Sequence, residues 1–167
     1  MLTNALSAEP PKYLKHGPGK VNLLGLVPAE LRYFFEDLGE KPYRARQIMH
    51  WVYQRGVLDF YSMTDFSVQL RKRLELVATL DLPEILRTDH SEDGTIKWLV
   101  NMGAGQAVET VFIPEPNRGT LCISSQAGCV LDCAFCATGH KGFNRNLTAA
   151  EILGQVFLAN RALKLGA

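Results

Sequence analysis

The chain has 167 residues, 47% of them hydrophobic, with 18 Lys and Arg against 17 Asp and Glu and a formal net charge of +1. That length carries one domain or two small ones with a real core, and the near-neutral balance excludes a chain that binds nucleic acid through bulk charge alone. No stretch approaches the roughly 20 apolar residues needed to span a bilayer, and no export signal opens the sequence, so a cytoplasmic protein without a membrane anchor is expected.

Residues 1–20 (MLTNALSAEPPKYLKHGPGK) are rich in Pro, Gly and Lys, show no sustained periodicity and read as a flexible lead-in. Residues 21–80 read as a small helical domain. Pro28 suits a first helical position, and Leu31, Phe34, Phe35 and Leu38 recur at i, i+3, i+4 and i+7 before a stop at Gly39. A second helix is expected over Arg44–Gln54, with Ile48, Trp51 and Val52 on its buried stripe and His50 serving packing too. A third is expected over Ser67–Thr79, with Leu70, Leu74, Val77 and Ala78 inward. Three such stripes can cover one another. Between Gly39 and Arg73 seven basic residues stand against three acids. That excess either holds phosphates or forms solvated helix faces.

From Leu82 the period turns from helical to alternating. Ile96, Trp98 and Val100 alternate with more polar neighbours, and Ser91-Glu92-Asp93-Gly94 separates them from Glu84–Asp89, which predicts a hairpin. Gly103-Ala104-Gly105 turns into a strand over Ala107–Pro114, and Asn117-Arg118-Gly119 into another over Thr120–Ser125. Residues 81–118 thus read as a β-hairpin and strand linker region, and 119–167 as the start of a further unit. In that unit Thr148-Ala149-Ala150-Glu151 fits a capping box, and Ile152, Leu153, Val156 and Phe157 supply the buried stripe of a helix.

Three of the four cysteines, Cys129, Cys133 and Cys136, crowd into one loop after a strand, and the fourth, Cys122, lies just upstream. In a reducing compartment such clusters bind metal or act in catalysis more often than they form disulfides. Two metal readings follow. With His140 the loop could be a tetrahedral Cys3His zinc site in a non-enzymatic RNA-binding module. Alternatively the three thiolates hold an iron–sulfur cluster and leave one iron open. Zinc ligands usually come as two separated pairs, and the second pair is missing, whereas gaps of three and then two residues suit three corners of a cubane. Phe135, beside the last cysteine, suits a loop that covers a flat organic ligand.

Two further residues attract attention. A period of two puts Glu109 on the face of Val111 and Ile113. On an apolar face a carboxylate holds its proton more tightly, which suits a base working near neutrality. A glutamate paired with Lys or Arg at a sheet edge is the plainer alternative. Cys122 shares a face with Ser124, with Leu121 and Ile123 opposite.

CVLDCAFC resembles the CxxxCxΦC loop of the radical S-adenosylmethionine (SAM) enzymes. The blocks GKVNLLGL, EKPYRARQIMHWVY, DGTIKWLV, VETVFIP, TLCISSQAGC and GFNRNLTAAEILGQV resemble, one after another, the RlmN/Cfr family of RNA adenine-C2 methyltransferases, over nearly the whole chain from Lys20 to Asn160. The resemblance implies an α/β architecture. A small helical accessory domain would be followed by a β-hairpin linker and then by the first strand, loop and helix of a radical SAM partial (β/α) barrel. It implies a [4Fe–4S] cluster on Cys129, Cys133 and Cys136, with SAM on the open iron and Phe135 touching it. Cleaved SAM gives a 5′-deoxyadenosyl radical, and a methyl group carried on a cysteine is delivered to C2 of an adenine in 23S rRNA or tRNA. Glu109 matches the general base that takes the C2 proton. Cys122 matches the cysteine that resolves the protein–RNA adduct through a transient disulfide. An external electron donor such as a flavodoxin is implied. Phosphate contacts are expected from Arg44, Arg46, Arg71, Lys72 and Arg73 on the helical domain, and from Lys141 and Arg145, with Asn146, beside the cluster loop.

The family's SAM-binding segment and methyl-carrying cysteine lie further on in relatives. The chain therefore reads as the N-terminal part of such an enzyme, not expected to methylate RNA by itself. Its last helix is expected to expose an apolar face that invites oligomerisation or disorder.

Overall fold

In the computed structural model, which describes residues 15–16, 19–129 and 142–163, the chain divides between Leu80 and Asp81 into two compact units. In the first, a three-stranded sheet ties the two ends of a helical bundle together. β1 (Lys15–His16) pairs antiparallel with β2 (Lys20–Asn22), which pairs parallel with β3 (Ala78–Thr79). The lead-in thus joins a sheet at its end. The predicted third helix stops at Val77, because Ala78 and Thr79 are taken up as the strand opposite Val21 and Asn22.

The helices follow from local chemistry. α1 (Pro28–Asp37) starts on Pro28, with the Val27 N–H donating to Glu30 Oε2 at 2.9 Å, and stops at Gly39 in the left-handed region at φ +71. α2 (Arg44–Met49) runs on through one π-helical turn, His50–Gln54, so the second predicted helix is present with a change of pitch. α3 (Val68–Val77) is capped by Ser67, whose Oγ accepts the Leu70 N–H at 3.2 Å. Leu31, Phe35, Ile48, Trp51, Val52, Leu70 and Leu74 are all buried, with Phe35 and Phe66 in ring contact at 6.2 Å.

The second unit is built on four antiparallel strands whose spatial order is their chain order: β4 (Ile85–His90), β5 (Ile96–Asn101), β6 (Ala107–Glu115) and β7 (Arg118–Cys122). β7 is the fourth strand of the sheet that β4 begins, so structure is continuous across residue 118. Beyond it β8 (Gln126–Gly128) pairs antiparallel with β9 (Phe143–Asn146), and α4 (Ala149–Ala162) closes the unit. One face of the sheet presents Trp98, Val100, Val108, Thr110, Phe112 and Leu121. Trp98, Val100 and Val108 form a core with Met102, Ala127, Leu147 and Ala159, against which Phe112, Leu121, Ile152 and Leu158 pack.

α4 sits differently from the sequence expectation. Its buried positions are Glu151, Gly154, Gln155 and Ala159, while Ile152, Leu153, Val156 and Phe157 are half-buried and none is exposed. Small and hydrogen-bonding residues, not bulky ones, line the closest approach. A Cβ on Gly154 would lie 2.5 Å from Pro83 Cδ, part of a rigid ring. Among the described residues no helix is long and apolar enough to cross a membrane.

Gly154→Ala should therefore destabilise the second unit by about 1–3 kcal/mol through overpacking, although alanine favours helix. A denaturant midpoint equal to or above the parent's would show that the approach to Pro83 is not tight.

Candidate active site on the open face of the sheet

The ladder sets which side chains share the uncovered face. Cys122 pairs with Val111, Val111 with Lys97, and Glu109 with Leu99. Alternation then places Lys97, Leu99, Glu109, Val111, Ile113 and Cys122 on one side, opposite the core. Glu109 does share a face with Val111 and Ile113, but that face is open. Its side chain is 54% exposed and meets Lys97, whose Nζ lies 3.3 Å from Glu109 Oε1. The apolar burial expected around this carboxylate is absent, because α4 covers Val108 and Thr110 on the other side. Cys122 is an exposed thiol across the ladder from Val111.

From Cys122 the chain leaves the sheet and enters the β8–β9 pair, the neck of the cysteine loop. Gly128 pairs with Phe143, and the Cys129 N–H donates to the Gly142 carbonyl at 3.1 Å, which closes the loop at its base. Gly128 is at φ +78, and a Cβ there would lie 1.9 Å from the Gly142 oxygen, so only glycine fits. Cys129 is half-buried at this neck. Cys133, Phe135, Cys136, His140 and Lys141 lie outside the described residues. Among the described residues no group of metal-binding side chains converges.

Arg145 does not face outward. Its guanidinium makes a bidentate pair with Glu151, Nη2 to Oε1 at 2.7 Å and Nη1 to Oε2 at 2.9 Å. It also donates to the Met102 carbonyl at 2.8 Å and to Gln106 Oε1 at 2.9 Å. Glu151 Oε2 accepts the Thr148 N–H at 2.7 Å, which completes the capping box. Burial pushes the Glu151 carboxyl up, but the Arg145 guanidinium and the Thr148 bonds outweigh it and hold it below the usual carboxylate range. Glu151 in turn raises the Arg145 guanidinium. Arg145 is thus engaged in the scaffold, with about a third of its side chain, 33%, still exposed.

Three arginines of the helical unit are similarly engaged. Arg44 donates to Gln47 Oε1 at 2.8 Å and the Asp65 carbonyl at 3.1 Å, near Glu40, and its guanidinium stacks on Tyr43 and Phe66. Arg71 donates to the Tyr61 carbonyl, and Arg73 to the Leu38 carbonyl at 2.6 Å. Arg46 and Lys72 are exposed, and among the described residues no carboxylate pairs with either. His50 lies partly exposed, its Nδ1 2.6 Å from Gln54 Oε1, beside buried Trp51.

Sequence reasoning missed Lys97 and Gln155. The alternation around Trp98 carried the signal for Lys97, since it fixes the face. For Gln155 the only signal was a lone amide at a position where a helix stripe calls for a hydrophobe.

The architecture is that of part of a radical SAM methyltransferase. A crystal structure of such an enzyme from Sphaerobacter thermophilus superimposes with a TM-score of 0.76 at 40% identity, covering 88% of this chain and 43% of that one. Residues 21–80 match the family described as the ribosomal RNA large subunit methyltransferase N-terminal domain. Proteins named dual-specificity RNA methyltransferase RlmN are similar along most of the chain. The one from Pseudomonas entomophila (strain L48) is 56% identical over 144 residues, 86% of this chain and 38% of that protein. The one from Marinobacter nauticus (strain ATCC 700491 / DSM 11845 / VT8) is 58% identical over 143 residues, 86% of this chain and 39% of that protein. The chain is thus similar to these RlmN proteins along most of its own length, and it spans about two fifths of the length of these relatives.

The Glu151 carboxyl sets an acid limit. Because its folded value is lowered, its stabilisation is complete above the ordinary glutamate value of about 4.3 and is lost as pH falls through the lower folded value. Arg145→Met, which leaves Glu151 buried without its partner, should cost about 3 kcal/mol at pH 7. It should also reduce the acid dependence of the melting temperature. An unchanged pH profile in this variant would sink the assignment.

Proposed function

We propose that this chain carries the cluster loop, the proton acceptor and the resolving thiol of a radical SAM enzyme that methylates C2 of adenine in 23S rRNA and tRNA. The observation that carries the reading is the shared open face. Glu109 and Cys122, matched to family roles by sequence alone, lie on the same uncovered side of one sheet, with Val111 between them. From Cys122 the chain runs directly into the neck of the cysteine loop. In this reading the second unit opens the partial barrel, and the helical unit is the RNA-binding accessory domain.

The donor set fits the cofactor. Three thiolates on one loop closed at its base can meet three irons of a [4Fe–4S] cluster, leaving the fourth to SAM, beside Phe135. When bound, that pair supplies the radical chemistry that an unactivated aromatic C–H demands. The chain's own residues do the rest. Glu109 takes the C2 proton. An exposed Lys–Glu pair is worth only about 0.2–1 kcal/mol, so Glu109 can leave Lys97 for a bound base at little cost. Cys122, exposed on the same face, is accessible to form a disulfide with a cysteine outside these 167 residues. Arg46, Lys72 and Lys141 remain for RNA phosphates, and an external electron donor supplies the reducing equivalents.

Anaerobic reconstitution with iron and sulfide tests the loop. The expected outcome is a brown protein with about four irons per chain, reduced severalfold in Cys133→Ala. A colourless protein holding one zinc would overturn the reading in favour of a zinc-binding RNA module. Supplied with SAM, a reductant and ribosomal RNA, the 167-residue chain alone should form no 2-methyladenosine. Formation of that product would show that the methyl carrier lies within it.

A further inference from the structure

We propose that Gln155 is a positioning residue for Glu109 and Cys122, setting their spacing on the open face from the opposite side of the sheet. This rests on the reading above only for what those two groups do. Gln155 is fully buried in the middle of α4. Its Oε1 accepts from Thr110 Oγ1 and from the Ser124 N–H, both at 2.8 Å. Its Nε2 donates to the Ser124 carbonyl at 2.9 Å and to the Glu151 carbonyl at 3.2 Å. A side-chain amide offers two acceptor sites and two donor hydrogens, and all of them are used.

The place of Ser124 gives these bonds their meaning. β6 and β7 pair as far as Val111 and Cys122, and two more residues in that register would set Ser124 opposite Glu109. The ladder stops short of that point. Instead Ser124 Oγ donates to the Glu109 carbonyl at 2.8 Å, and Gln155 takes both backbone groups of Ser124, as a neighbouring strand would. Thr110 follows Glu109 directly. One side chain therefore holds the residue after Glu109 and the residue two beyond Cys122, and it turns the chain out of the sheet toward the cysteine loop. A hydrophobe would bury similar area but could not fix that geometry, since only directional bonds specify the register of backbone groups.

The test is amide NMR of the 167-residue chain as wild type, Gln155→Met, Gln155→Glu and Ser124→Ala, with hydrogen exchange and thermal melts. Methionine keeps the length and loses the bonds. Exchange at the Ser124 amide should rise at least about tenfold, and the Glu109 and Cys122 amides should shift, while the centre of β5 stays protected. A protonated carboxyl donates and accepts as an amide does, whereas an ionised one only accepts. In Gln155→Glu the Ser124, Glu109 and Cys122 amides should therefore match wild type at low pH and depart together as the new carboxyl ionises. The charged groups nearest this site, Glu151 and Arg145, with Glu109 and Lys97 on the far face, are present in all four proteins, so wild type supplies their background. A residue that merely packed the helix would not give that shared titration.

Ser124→Ala leaves the helix interior intact and remains informative if both Gln155 variants fail to fold; it should move the Glu109 and Cys122 amides. Retained protection of Ser124 in Gln155→Met would overturn the proposal, as would unmoved Glu109 and Cys122 amides in Ser124→Ala. None of these readouts uses cluster, SAM or RNA, so they stand or fall separately from the methyltransferase reading.

Discussion

The ion pair between Arg145 and Glu151 is the contact on which the second unit hangs. From a single guanidinium on β9 it reaches the start of α4, the Met102 carbonyl just past β5 and the turn before β6. A buried pair repays its desolvation only when its remaining lone pairs and protons are satisfied, and here they are. Thr148 completes the carboxylate while Met102 and Gln106 complete the cation. What the pair provides is placement. It seats α4 so that Gln155 meets Thr110 and Ser124, and it holds the far side of the loop neck where Gly142 meets Cys129.

The same chemistry accounts for the arginines of the helical unit. Counted along the chain they form a positive patch, but Arg44, Arg71 and Arg73 donate to backbone carbonyls contributed by distant turns. Arginine suits that task because its planar fork offers several donors in fixed directions and its stem lies on apolar surface. The cationic surface left without internal partners is smaller than the composition suggests, and Arg46 and Lys72 are exposed on it.

How much was legible in the sequence depended on whether a feature was periodic or relational. The helix stripes of the first unit, the hairpin, the capping box at Thr148 and the face shared by Glu109 and Val111 are local patterns, and each is present. What periodicity cannot state is which face receives the helix. Glu109 was assigned an apolar setting, yet α4 covers the other side. The buried stripe of α4 was assigned to Ile152 and Phe157, yet Gly154 and Gln155 face the sheet, because a close backbone approach and an amide clamp outweigh bulk. The third helix ended early for a similar reason, since Ala78 has a strand partner at Val21, far away in the chain. Arg145 shows the limit most clearly. Beside the cysteines it reads as a phosphate ligand, and only the fold reveals a carboxylate six residues on, one turn into a helix.

The strands β4 to β7 lie in space in the order in which they are made. A meander of this kind needs no long-range closure, and such local pairings form quickly. During synthesis the N-terminal portions emerge first, so the strands bearing Glu109 and Cys122 are made before α4, whose Ala159 completes their core. The ladder between β6 and β7 runs as far as Val111 and Cys122, and beyond it the Gln155 amide of α4 takes up the Ser124 backbone.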